Sequence, residues 1–372
     1  GVLALGVLVL AAGPALAQPG YVSNLTGSLN THDPVIIRQD SVYYLFHTGN
    51  GVPIKRSSNR IHWTAGSPSN VSSSAPDWHS RFRNSNDSWA PAIAYWDSTY
   101  WLYHSISNFG TRQSAIGLRT SPTLHQGSPA YQWTDRGVVV CTYNNGITHA
   151  DCFNAGTTSV TSSDTTAFNA IDPDVFLDDD GTPWLSFGSF GAGIQLIRLN
   201  RATGKPDSGA RPRAIAHRYH TPAGSGYFHS IEAPVITKHG GWYYLWFSHD
   251  RCCASAQSTY KVKVTRAAAV EGPYFDKAGN PARPPYRAPG TTGAWQAANA
   301  GTLVSQGDSI GWAATGHNDI LVDRDTVFLV NHGYTWPAGS TQLMIRPLYW
   351  DSTGWPTLDS TQGTIAWQGP VA

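Results

Sequence analysis

Three carboxylates, Asp33, Asp172 and Glu232, each begin a similar short segment that leads into an aromatic run. The first stands in His-Asp-Pro, the second in Ile-Asp-Pro and the third in Glu-Ala-Pro. Carboxylates brought to one place raise one another's pKa, and a fold keeps such an arrangement most readily for general acid and base chemistry. The alternative is that Asp-Pro and Glu-Ala-Pro only begin turns. Because the pattern occurs three times in corresponding positions, we favour the catalytic interpretation.

The elements that must position these acids form a repeat of five units. Each unit has a short first strand, and an aromatic second strand follows ten to twelve residues after the start of the first. The first strands are predicted at 33–36, 90–93, 172–175, 233–236 and 318–321, and the aromatic strands at 42–47, 100–104, 183–187, 243–247 and 327–331. Third strands are predicted at 53–57, 116–120, 194–198, 260–264 and 343–347, and Trp63 and Trp133 mark fourth strands.

Four short strands per unit, repeated radially, are typical of a β-propeller, so the sequence predicts an all-β, five-bladed β-propeller. The first strand of each blade lines the central channel. We therefore expect the three acids, on blades one, three and four, to converge on the axis. Asp178-Asp179-Asp180-Gly181 suggests calcium binding at first, but Asp-Gly between two strands is the stronger signal for a hairpin.

Glutamate usage singles out one of the acids. Of 24 acidic residues, only Glu232 and Glu271 are glutamates. The longer side chain of Glu232 would carry its carboxyl further into the channel. Glu271 follows a predicted third strand in a Gly-Pro loop, so we expect it to lie on a loop away from the axis.

Glycoside hydrolysis uses two carboxyl groups that face each other across a cavity. One protonates the leaving oxygen, and the other activates water or attacks the anomeric carbon. Charged residues make up only 13% of the chain and the net charge is +1. This balance gives no basic surface for nucleic acid. It suits an uncharged, hydroxyl-bearing ligand such as a sugar.

The N-terminal segment and the cysteines bear on the compartment. Residues 1–17 are apolar and end in Ala-Leu-Ala, so we expect a secretory signal peptide whose start is missing, followed by one propeller domain at 18–372. The segment is too short for a membrane anchor. Cys141 and Cys152 could close a short loop in an exported protein, whereas Cys252 and Cys253 could form a vicinal disulfide or remain thiols. The spacing does not support a zinc site.

At this point the motifs resemble a known family. His32-Asp33-Pro34, Trp89-Ala90-Pro91, Asn169-Ala170-Ile171-Asp172-Pro173, Ile231-Glu232-Ala233-Pro234 and Gly316-His317-Asn318 look like glycoside hydrolase family 43, most of all its endo-1,5-α-L-arabinanase branch. The resemblance covers about residues 30–355. It implies a five-bladed propeller that cleaves α-1,5-linked arabinan with inversion of configuration.

The resemblance also implies roles for individual residues. Asp33 matches the general base, Glu232 the general acid and Asp172 the carboxylate that tunes that acid. His317 matches a histidine associated with a bound calcium ion that has mostly water ligands. The positions that match the arabinose subsites are His32, Trp89, Phe109 and Asn169.

Two departures and three alternatives stay open. Gly191 stands where a large aromatic residue is expected, and Asn108 replaces a threonine, which leaves the number of subsites undecided. Within the family, the alternative is an exo-acting α-L-arabinofuranosidase or a β-xylosidase. Outside it, the alternative is a non-catalytic carbohydrate-binding propeller. We expect a secreted monomer that acts on arabinan or its oligosaccharides, with no nucleic acid and no membrane as partner.

Overall fold

The computed structural model describes residues 25–143, 152–154, 168–218, 229–284, 300–361 and 363–364. Five sheets are arranged radially, so the expected five-bladed β-propeller is confirmed. Two 3-10 helices, Asp77–Arg81 and Ser255–Gln257, lie in loops of this ring. In the described part of the chain, no helix has the length and apolarity needed to span a membrane. Residues 1–17, the expected signal peptide, lie outside the described residues.

The strands in chain order are β1 (Thr26–Gly27), β2 (Val35–Gln39), β3 (Val42–Phe46), β4 (Gly49–Asn50), β5 (Pro53–Ser57), β6 (His62–Asn70), β7 (Asp87–Trp96), β8 (Thr99–Ile106), β9 (Ser114–Ser121), β10 (Thr134–Tyr143), β11 (Cys152–Asn154), β12 (Asp174–Leu177), β13 (Pro183–Phe187), β14 (Ile194–Arg198), β15 (Arg213–Ala216), β16 (Ile231–His239), β17 (Trp242–His249), β18 (Lys261–Ala267), β19 (Thr302–Ser305), β20 (Trp312–Asp323), β21 (Thr326–Thr335), β22 (Thr341–Asp351), β23 (Pro356–Thr357) and β24 (Gly363–Thr364). The predicted second and third strands coincide with β3, β5, β8, β9, β13, β14, β17, β18, β21 and β22 to within a few residues.

Each blade contains an antiparallel meander whose first strand lies at the axis, and β1 and β11 add to the outer strands of blades one and two in parallel. The sheets run β2-β3-β5-β6-β1, β4-β7-β8-β9-β10-β11, β12-β13-β14-β15, β16-β17-β18-β19 and β20-β21-β22-β23, with β24 also on β22. The inner strands β2, β7, β12, β16 and β20 contact one another in that order, and β20 also contacts β2. The ring is therefore closed between the fifth blade and the first.

The apolar core is divided among the gaps between blades. Five clusters each join neighbouring blades, as where Trp96 and Trp101 of blade two meet Val175 and Leu185 of blade three. This distribution follows from the sequence, because the aromatic second strands are buried on both faces and supply a wall to each neighbouring gap. Between blades five and one, the amide of Leu343 also donates to the carbonyl of Leu29 at 2.9 Å.

Two local predictions are also settled by the structure. The Asp178–Gly181 segment is the hairpin turn between β12 and β13, with the Gly181 amide donating to the Asp178 carbonyl at 2.8 Å. Both cysteine pairs are disulfides: Cys141 is bonded to Cys152, and Cys252 is bonded to Cys253.

Candidate active site

A cleft of about 360 Å³ opens at one end of the channel. Its walls come from the first strands and from the loops that join second and third strands. All eight residues predicted from the sequence line this cleft: His32, Asp33, Trp89, Phe109, Asn169, Asp172, Glu232 and His317. Glu271 lies on the surface instead, in an exposed ion pair with Arg213 at 3.3 Å, as expected.

A ring of five left-handed residues surrounds the floor of the cleft, one per blade. Asp33, Ala90, Asp172, Ala233 and His317 have φ between 44° and 55°. Such a conformation in a residue other than glycine costs roughly 1–3 kcal/mol and clusters at functional sites. The first strands of blades two, four and five are bulged at this position. The bulges turn the chain so that neighbouring side chains face the cleft.

The ring also shows how the three acids relate. Asp33 and Asp172 occupy equivalent positions, but the equivalent residue of blade four is Ala233, and Glu232 lies one residue before it. The predicted register of the acids therefore holds for two of them. The bulge between Glu232 and Val235 lets the glutamate face the cleft from the neighbouring position.

The backbone amide of each ring residue donates a hydrogen bond to a side chain on an adjoining blade. The acceptor is the side chain at the end of the preceding blade's second strand for four blades: the Ala90 amide donates to Thr48 Oγ1 at 2.8 Å, the Asp172 amide to Ser105 Oγ at 3.0 Å, the His317 amide to Ser248 Oγ at 2.9 Å and the Asp33 amide to His332 Nδ1 at 3.1 Å. These bonds satisfy buried amides of the ring, including those that the bulges of blades two and five remove from the sheet ladder.

The second strand of blade three supplies no such acceptor, and Asp172 accepts the hydrogen bond in its place. The residue equivalent to Thr48 and Ser105 is Gly188, which has no side chain to offer. The Ala233 amide donates instead to Asp172 Oδ2 at 3.2 Å. The carboxyl of Asp172 is thereby fixed against the segment that carries Glu232.

Asp33 is equipped to stay ionised. Burial alone would raise its pKa, but the imidazoles of His317, His32 and His332 and the Thr48 hydroxyl together hold the pKa well below the usual range. Thr48 Oγ1 donates to Oδ2 at 2.6 Å, and His317 Nδ1 lies 3.1 Å from Oδ1. An ionised carboxylate in this place is suited to accept a proton from water.

Glu232 is equipped to hold a proton. Burial raises its pKa, the negative charge of Asp33 adds to the effect, and hydrogen bonds from Ser189 and Tyr260 only partly oppose it. Ser189 Oγ donates to Oε2 at 2.7 Å, which orients the carboxyl. A protonated, oriented carboxyl is suited to protonate a leaving oxygen.

Asp172 reinforces this protonation. Burial raises its pKa, and the charges of Glu232 and Asp33 raise it further. Two buried neighbouring carboxyls cannot both ionise readily, so the pair retains a proton at pH values where separate carboxyls would have lost theirs.

The remaining predicted residues form walls of the cleft. Trp89 is fixed by its Nε1, which donates to Asp87 Oδ2 at 3.0 Å, and Phe109 is 78% exposed at the cleft rim. Asn169 is buried, and its Oδ1 has no hydrogen bond partner among the described residues. A buried amide oxygen without a partner that borders the cleft is available to a ligand hydroxyl. Phe190 also lines the cleft, beside the position of Gly191.

The donor set around His317 limits how a calcium ion could be held. Calcium takes six to eight oxygen ligands, whereas the carboxylate nearest His317 is Asp33, which Thr48 already engages. Among the described residues, the one group with metal-ligand spacing is His32, Asp33 and His332, which offers two nitrogens and one carboxylate. These residues do not fit a calcium ion whose ligands all come from the protein. A hydrated ion held through His317 is compatible with them.

Several residues of the site are absent from the sequence predictions. Thr48, His332, Ser189, Tyr260 and Cys253 all contact the acids or line the cleft. A signal for the first two was present, because Thr48, Ser105, Gly188, Ser248 and His332 all lie four residues after the central aromatic position of their blade. No local pattern marks Ser189 or Tyr260, which reach Glu232 only through the tertiary fold.

Comparison with known proteins places this architecture in a family. The family model described as glycosyl hydrolases family 43 matches residues 22–356. An extracellular exo-α-(1→5)-L-arabinofuranosidase of Cellvibrio japonicus is 34% identical over 343 residues, covering 90% of this chain and 88% of that protein. An extracellular endo-α-(1→5)-L-arabinanase of Bacillus subtilis is 33% identical over 362 residues, covering 95% of this chain and 94% of that protein.

A solved structure supports the same grouping. The Cellvibrio cellulosa α-L-arabinanase complexed with arabinohexaose matches with a TM-score of 0.72 and 31% identity, covering 90% of this chain and 98% of that one. The family model's match at residues 22–356 includes the first strand of every blade. The chain belongs to glycosyl hydrolases family 43.

Proposed function

We propose that this protein is an endo-acting hydrolase that cleaves α-1,5-L-arabinofuranosidic bonds in arabinan with inversion. The observation that carries the proposal is the meeting of Asp33, Asp172 and Glu232 around one solvent-accessible cleft, where the pKa of Asp33 is lowered and the pKa of Glu232 is raised. A non-catalytic sugar-binding propeller would have no use for carboxyls perturbed in opposite directions. The names of the relatives supply the sugar and the linkage.

The reaction follows from the two protonation states. Asp33 removes a proton from a water molecule, whose oxygen attacks the anomeric carbon of the arabinofuranose. The glycosidic bond breaks on the opposite face, and Glu232 gives its proton to the departing oxygen. Asp172 stays in place beneath the acid and favours the protonated form of Glu232 between turnovers.

The positions of the blades favour inversion. Blades one and four are not neighbours in the ring, so Asp33 and Glu232 approach the cleft from different sides. Inversion needs about 6.5–9.5 Å between the two carboxyls, because a water molecule must fit between the base and the sugar. Proton NMR during hydrolysis tests this point. The first reducing sugar is expected to be the β-anomer, and an initial α-anomer would contradict the proposal.

The exo-acting alternative deserves a direct test, because the Cellvibrio japonicus relative is named an exo-enzyme. Linear arabinan incubated with the full chain should give a mixture of oligosaccharide sizes from the first minutes if cleavage is internal. A single small product from the outset would establish exo action. No cleavage of arabinan or of aryl arabinofuranosides would refute the proposed function.

A hydrated calcium ion at His317 is part of the proposal, in a supporting role. His317 would hold it through one nitrogen, and the ion would add positive charge near the axis. Metal analysis of the purified protein should find about one calcium per chain, and chelation should lower the melting temperature. A protein without calcium whose stability ignores chelators would exclude the ion.

Secretion and a monomeric state complete the proposal. The relatives are named extracellular, and the two disulfides suit an oxidising compartment. Mass spectrometry of protein recovered from the culture medium should show an N-terminus close to residue 18. Light scattering should show one chain per particle.

A further inference from the structure

The vicinal disulfide Cys252–Cys253 lies on the rim of the cleft. It belongs to the loop between β17 and β18, and the loop contributes Arg251 and both cysteines to the cleft lining. Cys253 is exposed, whereas Cys252 packs against Tyr260 and Tyr334. The sulfur atoms are therefore presented to the space that a sugar would enter.

The loop is held in place around this bond. The Cys253 amide donates to the Tyr334 hydroxyl at 2.8 Å, and Cys253 has a φ of 61°, in the left-handed region. At the base of the loop, the Thr259 amide donates to the Arg251 carbonyl at 2.9 Å. A loop fixed at both its tip and its base can act as a wall, because the groups it presents do not move on binding.

The disulfide also touches the catalytic machinery. Cys253 Sγ lies 3.9 Å from His32 Nε2, and the same nitrogen lies 3.4 Å from Asp33 Oδ1. The sulfur therefore stands one imidazole away from the predicted base. A sugar bound for attack at Asp33 would lie beside this sulfur.

The chemistry of the bond suits a sugar ring. A disulfide carries no charge and no strong donor, and its sulfur atoms are soft and polarisable, so they pack well against C–H groups. Across the channel, Trp89 and Phe109 come from blade two, which is not a neighbour of blade four. The cleft thus has apolar surface on two sides and carboxyls on its floor.

We propose that the Cys252–Cys253 disulfide is a specificity-determining wall of the cleft that contacts the arabinofuranose ring next to His32. This proposal rests on the proposed arabinan-cleaving function. The bond contributes apolar contact to substrate binding, and by packing on His32 it limits the space beside Asp33. Loss of the disulfide should change KM more than kcat, because the disulfide contacts the bound sugar and not the groups that exchange protons.

The test compares two disulfide deletions in the full chain. The Cys252→Ala/Cys253→Ala variant should raise KM for linear arabino-oligosaccharides about fourfold, which is the effect of losing the apolar contact of roughly one methylene group. Its kcat should change less than its KM. The control is Cys141→Ala/Cys152→Ala, which removes the other disulfide, whose cysteines do not line the cleft, and should leave KM within twofold of the wild-type value.

A second measurement keeps the test decisive if the Cys252→Ala/Cys253→Ala variant fails to fold. In the control background, Cys252–Cys253 is the single remaining disulfide. A phosphine reductant cleaves it with one water molecule, giving two thiols and a phosphine oxide, and alkylation followed by peptide mapping confirms the cleavage. KM should rise on reduction and return when the thiols are reoxidised.

The possible results separate the two proposals. Wild-type turnover with an unchanged KM in the folded Ala/Ala variant or the reduced protein overturns the wall alone. A fall in kcat as large as the rise in KM, together with a lower melting temperature, assigns the disulfide a merely structural role. This result also overturns the proposed wall. A wild-type chain that leaves arabino-oligosaccharides intact overturns the proposed function and the wall with it.

Discussion

Asp174 offers a quantitative prediction about stability, separate from catalysis. Its Oδ2 accepts the amide of Ile236 on the next blade at 2.8 Å, at a position where Val35, Ala92 and Val235 stand in other blades. Burial raises its pKa from 3.8 to about 7, and the negative charge of Asp319 adds to the effect. The Asp174→Asn variant keeps an oxygen that can accept the Ile236 amide but never ionises.

The sign follows from proton linkage. The folded pKa lies above the unfolded one, so the folded chain binds more protons, and stability is full below about pH 4 and is lost as the pH rises through 7. The shift corresponds to a limit of about 4 kcal/mol at about 1.4 kcal/mol per pH unit. Because Asp174 is only partly buried, solvent screening reduces this limit to about 2 kcal/mol.

Urea unfolding followed by tryptophan fluorescence measures this difference. Relative to wild type, Asp174→Asn should gain about 2 kcal/mol in unfolding free energy at pH 8.5 and nearly nothing at pH 4. Glu271→Gln, at an exposed ion pair with Arg213, is the matched acid-to-amide control and should follow the wild-type pH dependence. If Asp174→Asn runs parallel to wild type across this range, the half-buried carboxyl of Asp174 is not a source of alkaline instability.

Further predictions concern the acids of the cleft. Glu232→Gln should lower kcat on arabinan by about a hundredfold to ten-thousandfold but spare aryl arabinofuranosides with good leaving groups, and an equal loss on both would reassign the acid. Asp33→Asn should lower kcat on both substrates by roughly a thousandfold, since water loses its base; retained turnover would contradict the assignment. Asp172→Asn removes the carboxyl that shares a proton with Glu232, so the alkaline limb of kcat/KM should move about one unit lower. Ser189→Ala removes a hydrogen bond that lowers the pKa of Glu232, so this limb should move higher by about half a unit. A pH profile in which these last two variants shift together would contradict the arrangement.

The repeat was the part of the fold that the sequence could predict. Aromatic second strands recur at nearly constant distance from the first strands, and a radial fold is the arrangement that buries every copy. The three acids could be placed for the same reason, because positions equivalent in a repeat become neighbours around its axis. The other five candidate residues, His32, Trp89, Phe109, Asn169 and His317, came from the family resemblance. The roles of Asp33 and Glu232 depended on the family resemblance as well, since spacing does not distinguish an acid from a base.

What could not be predicted depends on exceptions to the repeat. The bulges in the first strands of blades two, four and five were not predicted, because a bulge leaves no mark in hydrophobic alternation. The role of Gly188 appears only when the hydrogen bonds of the ring are compared blade by blade. The pairing of Cys252 with Cys253 was one of two open alternatives, since adjacent cysteines do not reveal their oxidation state.

The hydrogen bond from the Asp33 amide to His332 has a consequence for the order in which activity arises. Asp33 is synthesised before His332, and His317, which also faces the Asp33 carboxyl, is on blade five with His332. A nascent chain with four blades already carries every acid of the cleft, but its base lacks two of its three imidazole neighbours. The carboxyl of Asp33 therefore acquires the full set of neighbours that lower its pKa only when the fifth blade packs against the first.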